Sequence, residues 1–462
     1  MAMTVIAKPE RIAPAYNPLK YEYDSTNKNN EGFRYVFDIY NASAVKIAEY
    51  RVLPKPTTGY GEIDLSRLLQ SYVSYDFDPT DANFTASNSV FEYDIDIGEE
   101  YVTVVNWTSN LVNNGGSVQI VATHAFQIGD QVVVEGGNDN PNITGLWTVT
   151  DISTTVNFTI NASWSLVDDA TGNGSVRYSD NRKTVTRSIE TVNAFVFNGA
   201  VPFKDYSAYV VDDYLLDDAN AKFLTSMPQS TMYITPEQDI WVNLLTKNNN
   251  SGRLVFKNDS GDSAYRLVPE VPIAMHKIAG DNLGLTATAG TLPIVKANTQ
   301  YYDVYFFEGS IKSRTYRLYI DTRCKINDYE ICFLDRMGSI GSFAFQLRDQ
   351  LTGVVTKETY NQDIQGGVTS QKWGYDSYEQ GLRVINPSIE EEYVLNTNWM
   401  NEDMASYFTE LVSSPQTWMK IDNKYYACIV TETAYEKERQ RNRNLIRKTI
   451  RVKLSVQDRV NG

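Results

Sequence analysis

The sequence predicts a mainly β protein, built from several antiparallel β-sandwich or β-barrel modules with a few short helices. Three observations carry this. Runs of Tyr, Val, Ile, Phe and Thr recur along the chain, cut by clusters of Asn, Asp, Gly and Pro, which is the texture of strands and turns. No strand-like run alternates with a long helical pattern, which argues against a parallel α/β sheet. The 462 residues are also enough for about three separate cores, so the strands are expected in modules.

The elements follow in order. Residues 33–40 and 45–53 read as an antiparallel hairpin turning at 41–44. Asp64, after Gly59-Tyr60-Gly61, is a good N-cap, and Leu65, Leu68, Leu69, Tyr72 and Val73 recur at helical spacing, predicting a short amphipathic helix on the sheet. From Asn110 to Asp180 the chain turns to Gly, Asn, Thr and Val with few Lys or Arg, and 131–134, 147–150 and 157–160 read as strands. Residues 110–180 are therefore expected as a small β-barrel or sandwich inserted into an N-terminal β domain of 1–109 and 181–225, with 101–105 and 188–197 pairing beside it.

A middle β-sandwich is expected over 226–325, with strands at 241–245 and 253–256 and a hairpin of 301–307 and 314–320 around Glu308-Gly309-Ser310. An α+β domain over 326–462 begins with strands 329–334 and 343–347. It holds the best helix: Glu402 and Asp403 complement the dipole of its first turn, Met404, Tyr407, Phe408, Leu411 and Val412 form one apolar face, and Pro415 lies beyond its end. Residues 425–434 and 445–456 then predict a long two-stranded arm, in which Ile450, Val452, Leu454 and Val456 alternate with Arg451, Lys453 and Ser455.

Composition narrows the chemistry. With 42 Lys+Arg against 57 Asp+Glu the net charge is −15, and an acidic surface repels phosphate, so the whole chain is a poor general nucleic-acid binder. No run of about 18 apolar residues predicts a membrane span. Residues 1–11, with Pro9 and Glu10, have no apolar signal core, so folding in a cytoplasm is expected. Cys324, Cys332 and Cys428 suit buried thiols better than a disulfide framework, and Cys324 and Cys332 stand too far apart for a zinc knuckle.

No catalytic constellation emerges. His124 and His276 lack a neighbouring nucleophile, and Gly338-Ser339-Ile340-Gly341 is one residue short of a nucleophile elbow and reads as a hairpin turn. Gly59-Tyr60-Gly61 opens like a dinucleotide loop, but Asp64 stands at the third glycine and no βαβ unit follows. Glu390-Glu391-Glu392 and Asp212-Asp213 are adjacent acids that point to opposite faces of a strand, and 258–262 and 136–142 read as turns rather than calcium loops. No enzyme activity, cofactor or metal is expected.

Two features stand out. The 31 tyrosines suit interfaces and glycan platforms as well as ordinary cross-strand packing. Lys437, Arg439, Arg441, Arg443, Arg447, Lys448, Arg451 and Lys453 form a basic cluster in an acidic chain. It reads either as a solvated hairpin tip or as an assembly interface for an acidic partner, a second copy or passing nucleic acid.

Three passages together carry a resemblance: Ala15-Tyr16-Asn17-Pro18-Leu19-Lys20-Tyr21-Glu22-Tyr23, then 59–72 from Gly59-Tyr60-Gly61-Glu62-Ile63-Asp64, and 329–343 with Cys332-Phe333-Leu334-Asp335-Arg336-Met337-Gly338. They resemble tail or ring (connector) virion proteins of crAss-like and related tailed phages that infect Bacteroidetes. The passage His124-Ala125-Phe126-Gln127-Ile128-Gly129-Asp130 and the strand after it are similar to small β-modules of phage tail proteins. The resemblance implies a homo-oligomeric ring, six- or twelvefold, in the virion tail or neck. The ring would contact the portal and other tail or ring proteins, with DNA only as passing cargo. A tail-associated receptor- or glycan-binding protein is the alternative, and an exopolysaccharide depolymerase a weaker third.

Overall fold

A computed structural model describes all residues but 1–2, 108–110, 137–139, 181–182, 217–218, 247–251, 270, 279–288, 324–325, 327–328, 365, 370, 376–377, 379–380, 433–445, 457 and 460–462. The fold is mainly β with multiple antiparallel sheets, as the strand texture predicts. The chain divides into two compact units. One comprises 1–11, 18–65 and 92–195, and the other 12–17, 66–91 and 196–462.

In the first unit, Arg34–Asn41 pairs with Lys46–Val52 across the predicted turn, where Ala44 takes a positive φ of 57°. The sheet extends through Val90–Val102 to Lys183–Phe197, so the strands flanking the inserted segment are neighbours. Alternation fails in Arg34–Asn41 because both faces are covered: Tyr35, Val36, Phe37, Asp38 and Ile39 are all buried. Gly61, in Gly61–Asp64, lies against the Tyr35 ring, and a Cβ there would come within 2.3 Å of it. The Tyr35 hydroxyl donates to Gly59 O at 2.9 Å.

Between Val105 and Tyr178 the same unit carries a seven-stranded sheet. Its order is Leu111–Asn114, Ser117–Val121, Asn157–Ser163, Gly145–Thr154, Gln131–Glu135, Gly174–Tyr178 and Val105–Trp107, antiparallel throughout. It has a core of its own, from Trp107, Val118, Ile120, Phe126, Phe158 and Ile160.

In the second unit the predicted 301–320 hairpin forms, Tyr301–Glu308 pairing with Tyr316–Ile320. A parallel partner, Met232–Ile234, lies beyond it, a pairing the sequence did not predict. Arg253–Asn258, Ser263–Leu267 and Ala289–Gly290 complete the other side of that sheet. A second sheet runs Ile340–Phe345, Tyr329–Leu334, Thr417–Ile421, Lys424–Val430, Thr449–Leu454, Leu382–Asn396, Gln350–Asn361. Helix Glu402–Ser413 packs Met404, Tyr407, Phe408 and Leu411 into the core, and the Asn401 side chain caps it by accepting from Met404 N at 2.8 Å.

Two expectations are corrected. The helix after Asp64 spans only Ser66–Gln70, because the Ser71 and Tyr72 amides turn back to the Leu68 and Leu69 carbonyls three residues earlier. The expected pairing of 425–434 with 445–456 forms, Lys424–Val430 lying antiparallel to Thr449–Leu454, but over these described strands it is not a free-standing arm. Lys424–Val430 and Thr449–Leu454 are interior strands, each paired on both sides. Burial of Ile450 and Val452 under the sheet is what imposes the alternation there.

Candidate assembly surface

Among the described residues the projecting element is a different segment. Gln350–Asn361 pairs with Leu382–Asn396 from Gln350↔Val394 to Asn361↔Leu382. Every one of its twelve residues is exposed, and among the described residues it is an edge strand with no other partner. The partner strand is anchored at its C-terminal end, where Tyr393 and Leu395 are buried and pair with Val452 and Ile450. Asp458–Arg459 pairs with Ser388 and Ile389; beyond them, towards Leu382, the two strands run on with no further strand beside them among the described residues, and a small hairpin, Gly367–Thr369 with Lys372–Gly374, forms the tip.

This arm exposes large apolar side chains on both of its faces. Leu351, Val354 and Val355 are each more than half exposed, and Leu382, Val384 and Ile385 are exposed on the return strand. At the tip Trp373, Tyr375 and Tyr378 are 59%, 57% and 80% exposed, and the first two rings stand 5.6 Å apart. A two-stranded ribbon with neither face covered is marginal alone. The arm shares the acidity of the chain: over residues 350–396 Lys357, Lys372 and Arg383 stand against Glu358, Asp363, Asp376, Glu379, Glu390, Glu391 and Glu392.

Where the arm joins the sheet lies a groove of about 550 Å³, lined by Ile389, Tyr393, Ile421, Tyr426 and Val456 with Glu390, Glu391 and Lys453 at its rim. Val456 is 79% exposed there.

The predicted basic cluster is only partly placed. Lys437, Arg439, Arg441 and Arg443 lie outside the described residues. Arg447 and Arg451 are exposed, and the Arg451 amide donates to the Glu432 carboxylate at 2.8 Å. Lys448 N donates to Thr397 Oγ1 at 3.0 Å, and Lys453 Nζ sits 3.1 Å from Glu390 Oε2.

The strongest electrostatic cluster lies inside the second unit. Asp239 receives Lys277 and Lys420, both at 2.5 Å, and the Tyr425 hydroxyl. Beside it Glu330 accepts from the Asp239 amide at 2.7 Å and Ser342 Oγ at 2.8 Å, with Lys420 3.5 Å away. Burial, reinforced by the Asp239 charge, pushes the Glu330 carboxyl up to about 7. Asp335 forms a second buried acid, accepting from the amides of Ser226, Met337 and Ser339 and from the Thr225 hydroxyl. Burial and then Glu410 push it up to about 7 against those four donors. Both clusters tie strands together: their oxygens are taken by the protein's own donors, which suits internal struts rather than an open acid pair. Sequence reasoning overlooked them, although an acid inside the apolar run Tyr329-Glu330-Ile331-Cys332-Phe333-Leu334 was a signal.

The remaining motif residues have structural partners. Ser339 Oγ donates to Trp241 O at 2.9 Å in the turn between Tyr329–Leu334 and Ile340–Phe345, where Gly338 has φ 83° and Asn198 O would meet any Cβ at 2.2 Å. His276 is buried, which lowers its pKa to about 3, and the His124 ring accepts from Phe126 N at 3.2 Å. Asp262, in the 258–262 turn, is held by Lys296 at 2.6 Å. Cys332 and Cys428 are buried free thiols, and Cys324 lies outside the described residues.

No family model matches the chain, and no curated protein matches it. Among solved structures, the phage phi92 endosialidase aligns at 9% identity and a TM-score of 0.17, covering 99% of this chain and 70% of that one. Escherichia coli alpha-2-macroglobulin activated by porcine elastase aligns at 9% identity and a TM-score of 0.15, covering 86% of this chain and 42% of that one. Among the described residues no helix is long and apolar enough to cross a membrane.

Proposed function

We propose that this chain is a non-enzymatic structural protein of a phage virion, a tail or neck ring subunit that assembles around the DNA channel and joins the portal or neighbouring rings to the tail. The observation that carries the assembly role is the Gln350–Asn361/Leu382–Asn396 arm, apolar on both faces and covered on neither. An element of this kind is stable when another surface covers it. The virion setting rests on the resemblance of the 15–23, 59–72 and 329–343 passages to crAss-like tail and ring proteins. Contacts between different surfaces of identical copies close into rings when the rotation per copy closes.

Electron microscopy of the purified protein with mass measurement tests this. A closed ring is expected, and its loss when 356–385 is replaced by a short turn ties assembly to the arm. A monomer at micromolar concentration, or a trimer at the tail periphery, overturns it. The exposed Trp373 and Tyr375 rings favour a second reading, a glycan- or receptor-binding tip, which glycan-array binding abolished by Trp373→Ala would support.

A further inference from the structure

We infer that the outer face of the sheet built on Tyr301–Glu308 binds single-stranded nucleic acid. The inference is independent of the ring reading above.

Register defines the face. Tyr302, Val304 and Phe306 are buried in the core, so Tyr301, Asp303, Tyr305 and Phe307 lie on the opposite side. Their cross-strand partners share that side. Tyr319 and then Tyr233 follow Tyr301, while Lys257 and Arg317 flank Asp303. Val255 and then Tyr265 follow Tyr305, while Arg253 and Lys312 flank Phe307. Successive rows are two residues apart along a strand, roughly 7 Å, so rings and cations interleave over the whole face.

The cations are held ready for an anion. Arg253, Lys312 and Arg317 lie 4.6, 4.2 and 4.0 Å from the ring centroids of Tyr265, Tyr305 and Tyr301. Contact with a ring orients each side chain and leaves its charge in place. Arg317 is also bidentate to Asp303, at 2.7 and 3.0 Å. Arg253, Lys257 and Lys312 are exposed and have no ion-pair partner among the described residues. Four cations against the Asp303 carboxylate make this face basic in a chain of net −15.

The interleaving selects the partner. A protein interface gathers apolar groups at a centre depleted of lysine, whereas here Lys257 and Arg317 occupy a row between two rows of rings. Single-stranded nucleic acid suits such a face: cations follow its phosphates, and its unpaired bases stack on rings. Tyr233, 41% exposed and stacked on Tyr319 at 5.2 Å, offers the outermost ring. An open sheet face also lacks the projecting helix or ribbon that enters the groove of a duplex.

The test is fluorescence anisotropy of a short labelled oligothymidylate titrated with the full-length chain. Binding is expected at low salt, with a log–log salt slope of roughly −2 to −3 for contacts to three or four phosphates. Lys257→Gln should make that slope shallower by about 0.7. Tyr233→Leu should weaken binding about tenfold at every salt concentration without changing the slope. Both side chains are exposed, so urea unfolding of the variants should match the parent. Absence of binding at low salt, or equal affinity for a duplex of the same length, overturns the inference. Binding unchanged in both variants, as the basic residues of 437–443 alone would give, also overturns it. So does tighter binding of an anionic polysaccharide, chondroitin sulfate, that the same two substitutions abolish.

Discussion

Glu330→Gln is expected to flatten the pH dependence of stability of the second unit between pH 5 and 7. In the folded chain the Glu330 carboxyl titrates at about 7, because it is buried beside Asp239, whereas its ordinary value is 4.5. Between those values the folded chain keeps a proton that the unfolded chain has released. Stability from this group is therefore full below pH 4.5 and is lost as pH rises towards 7. The gap corresponds to about 3 kcal/mol. Glutamine keeps the oxygen that accepts from the Asp239 amide and Ser342 Oγ and removes the charge. Lys420 retains Asp239 as its partner at 2.5 Å. The variant should match the parent at pH 5 and exceed it by up to about 3 kcal/mol at pH 8. Urea unfolding of both proteins across pH 5–8 measures the difference, and Asp335, also raised, is common to both and cancels. Parallel stability curves for the two proteins would refute the assignment of a protonated, buried Glu330.

Two further substitutions probe the packing of the first unit. Gly61→Ala places a Cβ against the Tyr35 ring, which is fully buried and pinned through its hydroxyl, so a loss of about 1–3 kcal/mol is expected in urea unfolding. An unchanged midpoint would mean that the ring moves. Phe158→Ala empties the centre of the seven-stranded sheet, where Phe158 packs 5.0 Å from Phe126 and 4.7 Å from His124. A cost of about 3–5 kcal/mol is expected, read by hydrogen exchange as lost protection in strands 117–121 and 157–163, and retained protection there would contradict a core centred on Phe158.

Much of the strand framework was legible because burial of one face writes a period of two. Tyr301–Glu308 alternates inward Tyr302, Val304 and Phe306 with outward neighbours, and the hairpin could be read from that pattern. The helix Glu402–Ser413 was legible for the same reason at a period near 3.6, down to Leu411. The buried acids were harder. Asp239, Glu330 and Lys420 come from three distant parts of the chain, and only the fold brings them within 3.5 Å of one another.

The pairing of 425–434 with 445–456 was legible, but the place of its described strands inside a sheet was not, for a reason that generalises. Alternation over Thr449–Leu454 looked like a reaching hairpin with a charged end, yet alternation is the mark of a strand with one covered face, and such a strand belongs to a sheet. A ribbon covered on neither face has no side to prefer. Gln350–Asn361 accordingly puts Leu351 and Val355 on one face and Val354 on the other, with Gly353 and Thr352 between, and no periodicity results. Apolar residues kept without a period, in a segment that is exposed throughout, are what remains when the covering surface lies outside the chain.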